Sequence, residues 1–177
     1  MSTDSARYLI DTSVFIQAFR AYYSFSVCPG FWTSLVSLHN RGLVLSIDKV
    51  LEELCHGDED ELSVWAKTSM PKTCFASCDD PAVIGWYAQI QSWANSQSQF
   101  SNAAKSEFAG ETDAWVVAYA GAKNYIVVTG EVFSHNVKRR IPIPNVCRAA
   151  PFQVNCIDVF TMLTRLGIKF QWNEGQQ

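Results

Sequence analysis

The run YIVVT at 125–129 constrains the fold more than any other stretch of this sequence. A short, continuous run of β-branched and aromatic residues is typical of a strand buried on both faces of a parallel sheet. Shorter apolar runs at 7–11 and 43–46 have the same character, and weaker ones occur near 72–77 and 154–156. Helical spacing of apolar residues separates these runs, which predicts a parallel sheet covered by helices on both faces.

The length and composition predict one domain. A chain of 177 residues with 48% hydrophobic and 18% charged residues can bury a single core. Residues 58–109 carry helical spacing interrupted by prolines, with a Ser-, Asn- and Gln-rich part at 92–106 that we expect to be solvated. We therefore predict an α/β protein, a three-layer α/β/α sandwich with a central parallel sheet of four to five strands and a helical insertion at roughly 58–109.

Charge and cysteine content exclude some classes of protein. A net charge of −3 and a pI near 5.6 argue against nucleic-acid binding by bulk positive charge, although a local basic patch or a bound metal would still attract phosphate. The six cysteines are expected to be free thiols, and Cys74 with Cys78 lacks the second ligand pair of a zinc site. The sequence encodes neither a long apolar span nor a signal peptide, so we predict a cytoplasmic protein with no membrane partner.

Four acidic residues stand where a parallel sheet collects its functional groups: Asp11 after the first strand, Glu53 in the helix after the second, Asp113 at a helix start and Glu131 after the strand at 125–129. Such residues converge outside the carboxyl ends of the strands if the strands are neighbours. Clustered carboxylates repel one another unless a cation neutralises them, and Mg²⁺ or Mn²⁺ prefers oxygen ligands. A metal-activated water could then hydrolyse a phosphodiester without a protein nucleophile.

Each acid also has a purely structural interpretation. Asp11 or Thr12 would cap the first helix, and Asp113 would complement a helix dipole. Glu53 would be one more solvated helix charge, and Glu131 an ordinary surface acid. Taken singly, Glu53 and Glu131 fit these interpretations better than a catalytic one.

Four blocks of sequence, in this order, resemble the PIN-domain superfamily: YLIDTSVF at 8–15, VLEEL at 50–54, TDAWVVAYA at 112–120 and VVTGE at 127–131. The resemblance is to a less characterised bacterial branch related to VapC-type toxins, which carries Glu in the last block. The stretches IPIPNVC at 141–147 and CIDVF at 156–160 are similar to that branch as well. The resemblance implies a PIN-like fold and a metal-dependent endoribonuclease.

The resemblance also implies residue roles. It assigns catalysis and Mg²⁺ or Mn²⁺ binding to the four acids, Asp11, Glu53, Asp113 and Glu131. Thr12 and Thr129 match hydroxyl residues that orient the acids or a bound water. Helical phase favours Glu53 over Glu52, because Val50 lies three residues before Glu53 and places it on the buried edge of the helix.

The densest basic run, Lys138, Arg139 and Arg140, follows the Glu131 loop and is a candidate for RNA phosphate contact. The alternative is an exposed loop kept soluble by its charge. Trp32 or Trp65 could stack on RNA bases, although most aromatic residues of such a chain are expected in the core. The family resemblance further implies a homodimer and a cognate antitoxin.

Three hypotheses for function follow. The leading one is a metal-dependent endoribonuclease, the toxin of a type II toxin–antitoxin pair. The alternative is a PIN-like module that binds RNA or protein without cutting. A phosphoacceptor domain using Asp11 is disfavoured, because it needs a lysine after the last strand and Lys123 precedes the strand at 125–129.

Overall fold

A sheet of five parallel strands forms the centre of the protein in a computed structural model that describes residues 6–171. The order across the sheet is β3-β2-β1-β4-β5, and every pairing is parallel. The strands are β1 Tyr8–Ile10, β2 Val44–Ile47, β3 Phe75–Ala76, β4 Ile126–Val128 and β5 Cys156–Ile157. The architecture is consistent with a three-layer α/β/α sandwich, which confirms the predicted fold class.

Helices connect the strands. They are α1 Thr12–Gln17, extended by a π-helical segment at Ala18–Tyr22, then α2 Pro29–Asn40, α3 Asp48–Leu54, α4 Glu61–Thr68, α5 Pro81–Ser96, α6 Asn102–Gly110, α7 Asp113–Lys123, α8 Ile143–Arg148 and α9 Val159–Arg165. A short 3₁₀ turn at Lys72–Cys74 precedes β3. None of the helices in residues 6–171 is both long enough and apolar enough to cross a membrane.

The core lies on both faces of β1 and β4. Leu9, Ile10, Val127 and Val128 are fully buried, so neither strand has a solvent-facing side. This burial explains why the two strands read as continuous apolar runs rather than as an alternation of apolar and polar residues. In register, Leu9 lies opposite Val127 on β4.

The segment 58–109 is more than a helical insertion. It contains α4, α5 and α6, as predicted, and the weak apolar run near 72–77 forms β3, which extends the main sheet beside β2. Its polar part at 92–106 is not merely solvated, because Ala94, Phe100 and Ala104 are buried there. The segment is therefore an integral part of the domain core.

Of the two interpretations of Trp32 and Trp65, core packing is the one that the structure bears out. Trp32 and Trp65 are only 2% and 9% exposed, and their rings pack edge to face at 4.8 Å inside the core, so they do not present a surface to RNA bases. Helix α8, which was not predicted from the sequence, begins between Pro142 and Pro144. Proline is tolerated in the first helical turn, where its missing N–H has no partner to lose. All six cysteines are free thiols, as expected.

Candidate metal centre

The centre lies at the carboxyl edge of the sheet between β1 and β4. Asp11 directly follows β1, and Thr129 and Glu131 follow β4. From β1 the chain proceeds to β2 and β3 on one side of the sheet, then crosses to β4 and β5 on the other. The crevice between β1 and β4 is thus the topological switch point, where open α/β sheets bind ligands.

Asp11 is buried and held by hydroxyl groups. Its Oδ2 accepts hydrogen bonds from the hydroxyls of Ser13, at 2.5 Å, and Thr129, at 2.9 Å. The Ser13 hydroxyl oxygen in turn accepts a hydrogen bond from the backbone N–H of Gly130 at 2.9 Å. Among the described residues no hydrogen bond ends on Oδ1, which leaves that oxygen available to a ligand.

Asp11 also caps α1, as its structural interpretation predicted, because Oδ2 accepts a bond from the Ser13 backbone N–H. Burial raises the pKa of Asp11 to about 6. The hydrogen bonds from Ser13 and Thr129 lower the pKa and partly offset this rise, while the charge of Glu131 adds to it. Capping and membership of the acidic centre are therefore compatible roles for one carboxylate.

Asp113 is the first residue of α7 and is the most strongly perturbed acid of the centre. Burial raises the pKa of Asp113 to about 9, and repulsion from Asp11, Glu131, Glu111 and Glu53 contributes further. Within residues 6–171 no hydrogen bond or ion pair offsets this penalty. The fold has thus placed an uncompensated carboxylate beside several others.

A hydrogen bond from Thr12 connects Glu53 to the centre. The Thr12 hydroxyl donates to Oε2 of Glu53 at 2.7 Å, whereas Glu52 pairs with Lys49 at 3.1 Å. Glu53 is exposed, so its expected place on the buried edge of α3 was wrong. The choice of Glu53 over Glu52 nevertheless agrees with the geometry, because only Glu53 contacts a residue adjacent to Asp11.

Glu131 is held by two partners on the far side of the centre. Its Oε1 pairs with the Arg140 guanidinium at 3.0 Å, and its Oε2 accepts a bond from the backbone N–H of Ile143, at the start of α8, at 2.7 Å. The carboxylate is largely buried while the arginine stays mostly exposed. Arg140, a candidate RNA contact, is therefore engaged with an acid of the centre.

Lys138 and Arg139 are exposed at the tip of the same loop. The connection between α5 and α6 holds this loop by three hydrogen bonds. The Gln99 side-chain amide donates to the backbone carbonyl oxygens of His135 and Val137. The Ser101 backbone N–H donates to the carbonyl oxygen of Lys138. The segment 58–109 thus determines where the basic residues lie.

The donor set suits a hard dication. Carboxylate and hydroxyl oxygens surround the switch point. The raised pKa values of Asp11 and Asp113 show that their charged forms lack compensation, which a bound cation would supply. As the side chains stand in the described part of the chain, no three His, Cys, Asp or Glu residues are close enough to enclose an ion. Two of the acids are instead turned to other partners, Glu53 to Thr12 and Glu131 to Arg140.

Two residues of the centre were not singled out from the sequence. Ser13 could have been identified from the sequence, because a capping Asp accepts a bond from the backbone N–H two residues on, which brings the Ser13 side chain close to that carboxylate. Glu111 lines an open cavity of about 460 Å³ together with Glu53 and Thr112, and burial, followed by repulsion from nearby glutamates, raises its pKa. No local pattern distinguishes Glu111 from other surface acids.

The fold and this centre define a class: a parallel α/β protein with an acidic cluster at its topological switch point. Within it, the chain belongs to the family described as Domain of unknown function (DUF4411), whose profile matches residues 8–170. No curated protein matches the chain.

Proposed function

We propose that this protein is an Mg²⁺- or Mn²⁺-dependent endoribonuclease of the PIN-domain superfamily. One observation carries the proposal: Asp11 and Asp113, more than a hundred positions apart in sequence, interact at the carboxyl edge of the sheet, where burial and charge raise both pKa values. A fold gains no stability from such a pair alone, so their placement favours a functional role. The resemblance of the sequence blocks to PIN domains supports the same conclusion.

Asp11, Asp113 and Glu53 would hold the ion, with Glu131 joining after it leaves Arg140. A divalent ion bound there supplies an activated water and polarises the phosphoryl group. Ser13 and Thr129 orient Asp11, and Thr12 orients Glu53.

The basic loop serves the substrate. Lys138 and Arg139 are exposed and free to contact the RNA backbone, which such residues bind without regard to sequence. Arg140 stands at the border between this surface and the acidic centre, because it pairs with Glu131. A phosphate drawn to the loop therefore arrives beside the acids.

Cleavage of an unstructured RNA with Mn²⁺, with and without EDTA, tests the proposal. We expect Asp11→Asn and Asp113→Asn to lose activity by at least about 100-fold, since even the partners of metal ligands contribute about 10- to 100-fold. Asp79→Asn, which removes a carboxylate at an exposed position, is the matched control and should retain activity. Undiminished cleavage by purified Asp113→Asn protein would refute the proposal.

We further propose that the enzyme is the toxin of a type II pair, acting as a homodimer and blocked by a cognate antitoxin that covers the acidic cleft. The support is the likeness to VapC-type toxins. Induced expression in a bacterial host should arrest growth for the wild type and not for Asp113→Asn. Growth arrest by both proteins would contradict a nuclease toxin.

A binding module without catalysis is the second candidate, favoured by the engagement of Glu131 with Arg140 and Ile143. Calorimetric titration with Mn²⁺ separates the two functions. Heat of binding that Asp113→Asn abolishes supports the enzyme, whereas RNA binding without any metal uptake supports the module.

A further inference from the structure

Three flat side chains assemble just beyond Glu131. The Arg148 guanidinium lies over the ring of Phe133, 4.4 Å from its centroid, and the His135 ring stands perpendicular to Phe133 at 4.5 Å. Phe133 is only partly buried, and Arg148 and His135 are exposed. We call these three residues the Phe133 platform. An aromatic ring paired with a guanidinium is the kind of surface on which nucleobases stack.

The platform borders a cavity of about 550 Å³ that also contains Trp93, Phe100 and two glutamines, Gln97 and Gln99, in its lining. The volume falls within the range of roughly 300–1,000 Å³ usual for small-ligand sites. Each glutamine amide nitrogen donates to a backbone carbonyl, Gln97 to Trp93 and Gln99 to two loop residues. Their carbonyl oxygens therefore remain as acceptors for the amino groups that most bases carry.

A second cavity, of about 420 Å³, connects the platform to the acidic centre. Phe133 and Arg148 line both cavities, and Glu131 lines the second one. Phe133 lies two residues from Glu131, a separation of at most about 7 Å in an extended chain. A group on the platform is thus a neighbour of a group at the acids.

The charge on this side favours a polyanion. Arg148 belongs to the platform, and Lys138 and Arg139 are exposed on the loop that carries Phe133. These cations are local, because the chain as a whole has a net charge of −3. Aromatic groups interleaved with cations are typical of single-strand binding surfaces.

We propose that the Phe133 platform binds one nucleobase of single-stranded RNA, adjoining the phosphate that lies at the acidic centre. The inference rests on the proposed ribonuclease function and adds to it the class of substrate. A base in a duplex is stacked and paired and cannot enter the cavity, whereas an unpaired base can.

The test uses a short single-stranded oligoribonucleotide with one 2-aminopurine base, whose fluorescence falls when it stacks on an aromatic ring. Binding is measured on the Asp113→Asn chain so that the RNA stays intact. We expect quenching with Phe133 and retained quenching with Phe133→Trp. Phe133→Leu should lose about 5- to 150-fold in affinity, which is the equivalent of the roughly 1–3 kcal/mol that stacking on an aromatic ring contributes per base. The same oligonucleotide annealed to its complement should bind weakly.

Tyr22→Ala is the matched control, since Tyr22 is an exposed aromatic that follows α1 and belongs to neither cavity. It should leave quenching unchanged. In the cleaving protein, Phe133→Leu should raise KM for unstructured RNA, with a smaller change in kcat.

The two proposals fail in different ways. If wild-type protein cleaves RNA while Phe133→Leu neither lowers affinity nor raises KM, the platform inference is overturned and the nuclease stands. If no protein cleaves RNA but quenching depends on Phe133, the base site stands and the nuclease falls. Equal affinity for the duplex and the single strand would also overturn the inference.

Discussion

Asp113 is the residue whose charge the fold opposes most. Its carboxylate is largely removed from water at the start of α7, beside the other acids, and among residues 6–171 it has no hydrogen-bonding partner. A folded-state pKa of about 9, against 3.8 as the reference value, means that the folded protein binds this proton more tightly than the unfolded chain does. In the absence of a cation the residue is protonated at neutral pH.

Because folded Asp113 binds its proton more tightly, the free energy of unfolding of the metal-free protein should depend on pH. The contribution of Asp113 is fully present below pH 3.8 and is lost progressively as pH rises to about 9. Asp113→Asn has no such loss, so its free energy of unfolding should exceed that of the wild type by a few kcal/mol near pH 8, since each pKa unit corresponds to about 1.4 kcal/mol. The two proteins should be nearly equal at pH 4.

Urea unfolding at several pH values with EDTA measures this difference. Asp79→Asn, at an exposed position, controls for the loss of one carboxylate and should follow the wild type. A constant gap between Asp113→Asn and wild type across the pH range would show that Asp113 is not buried as described.

Ser13 is an uncharged residue that holds the acidic centre together through two hydrogen bonds of its hydroxyl group. Its hydroxyl donates to Asp11 and accepts from the N–H of Gly130, so it joins the end of β1 to the loop after β4. Ser13→Ala leaves that N–H without an acceptor, which we expect to destabilise the fold by about 1–3 kcal/mol. Metal affinity should fall by about 10- to 100-fold, because Asp11 loses an orienting partner.

Unfolding curves and Mn²⁺ titration of Ser13→Ala check both effects, with the exposed Ser26→Ala as control. Because the bond from Ser13 lowers the pKa of Asp11, its removal should also raise that pKa further. Wild-type metal affinity in Ser13→Ala would mean that the network only supports the fold.

Among the elements, α5 and α7 are the pair that positions the site, because α7 begins at Asp113 and α5 packs along it. The close approach depends on Gly121: a Cβ there would lie 2.3 Å from the ring of Trp86. The Trp86 ring also packs against Phe152, with 6.0 Å between the ring centroids. An ion pair of 2.6 Å between Lys123 and Asp80 ties the same two helices together.

Two alanine substitutions test this interface in opposite directions. Gly121→Ala should destabilise the protein by about 1–3 kcal/mol through overpacking. Gly85→Ala, on the exposed side of α5 with nothing within 4 Å of the added Cβ, should stabilise it by about 0.5–1 kcal/mol, because alanine suits a helix interior better than glycine. Thermal unfolding measures both, and equal effects would mean that the helices do not pack at Gly121.

The sheet could be predicted at the element scale because β1, β2 and β4 are apolar runs that local composition reveals. The edge strands β3 and β5, with two residues each, were only approximately located, since so short a strand has no period. Helix α8 was not predicted from the sequence, because it has only six residues and prolines stand before and within its first turn. The pairing of Glu131 with Arg140 was equally hidden, because the loop from 129 to 142 has no periodic pattern and is shaped by Gln99 of a distant segment.

For the whole molecule, metal binding and proton release should be linked. Asp113 carries a proton at pH 7 in the metal-free protein and must lose it to become a ligand. Mn²⁺ binding at pH 7 should therefore release about one proton, and the ion should raise the unfolding temperature because it binds only the folded state.

Calorimetry in buffers with different protonation enthalpies counts the protons. Asp113→Asn should show neither the release nor the thermal shift, whereas Asp79→Asn should show both. Metal uptake by the wild type with no proton released would contradict the protonated state of Asp113.

The earliest of the five strands to be synthesised, β1, lies in the middle of the sheet and receives β4 from far along the chain. The pocket around Asp11 is therefore incomplete until Thr129, 118 positions later, has been synthesised and can donate its hydrogen bond. A nascent polypeptide has no complete acidic centre until synthesis has passed residue 131. For the ribonuclease proposed above, this order of assembly would keep the chain inactive until β4 and the residues that follow it have been translated.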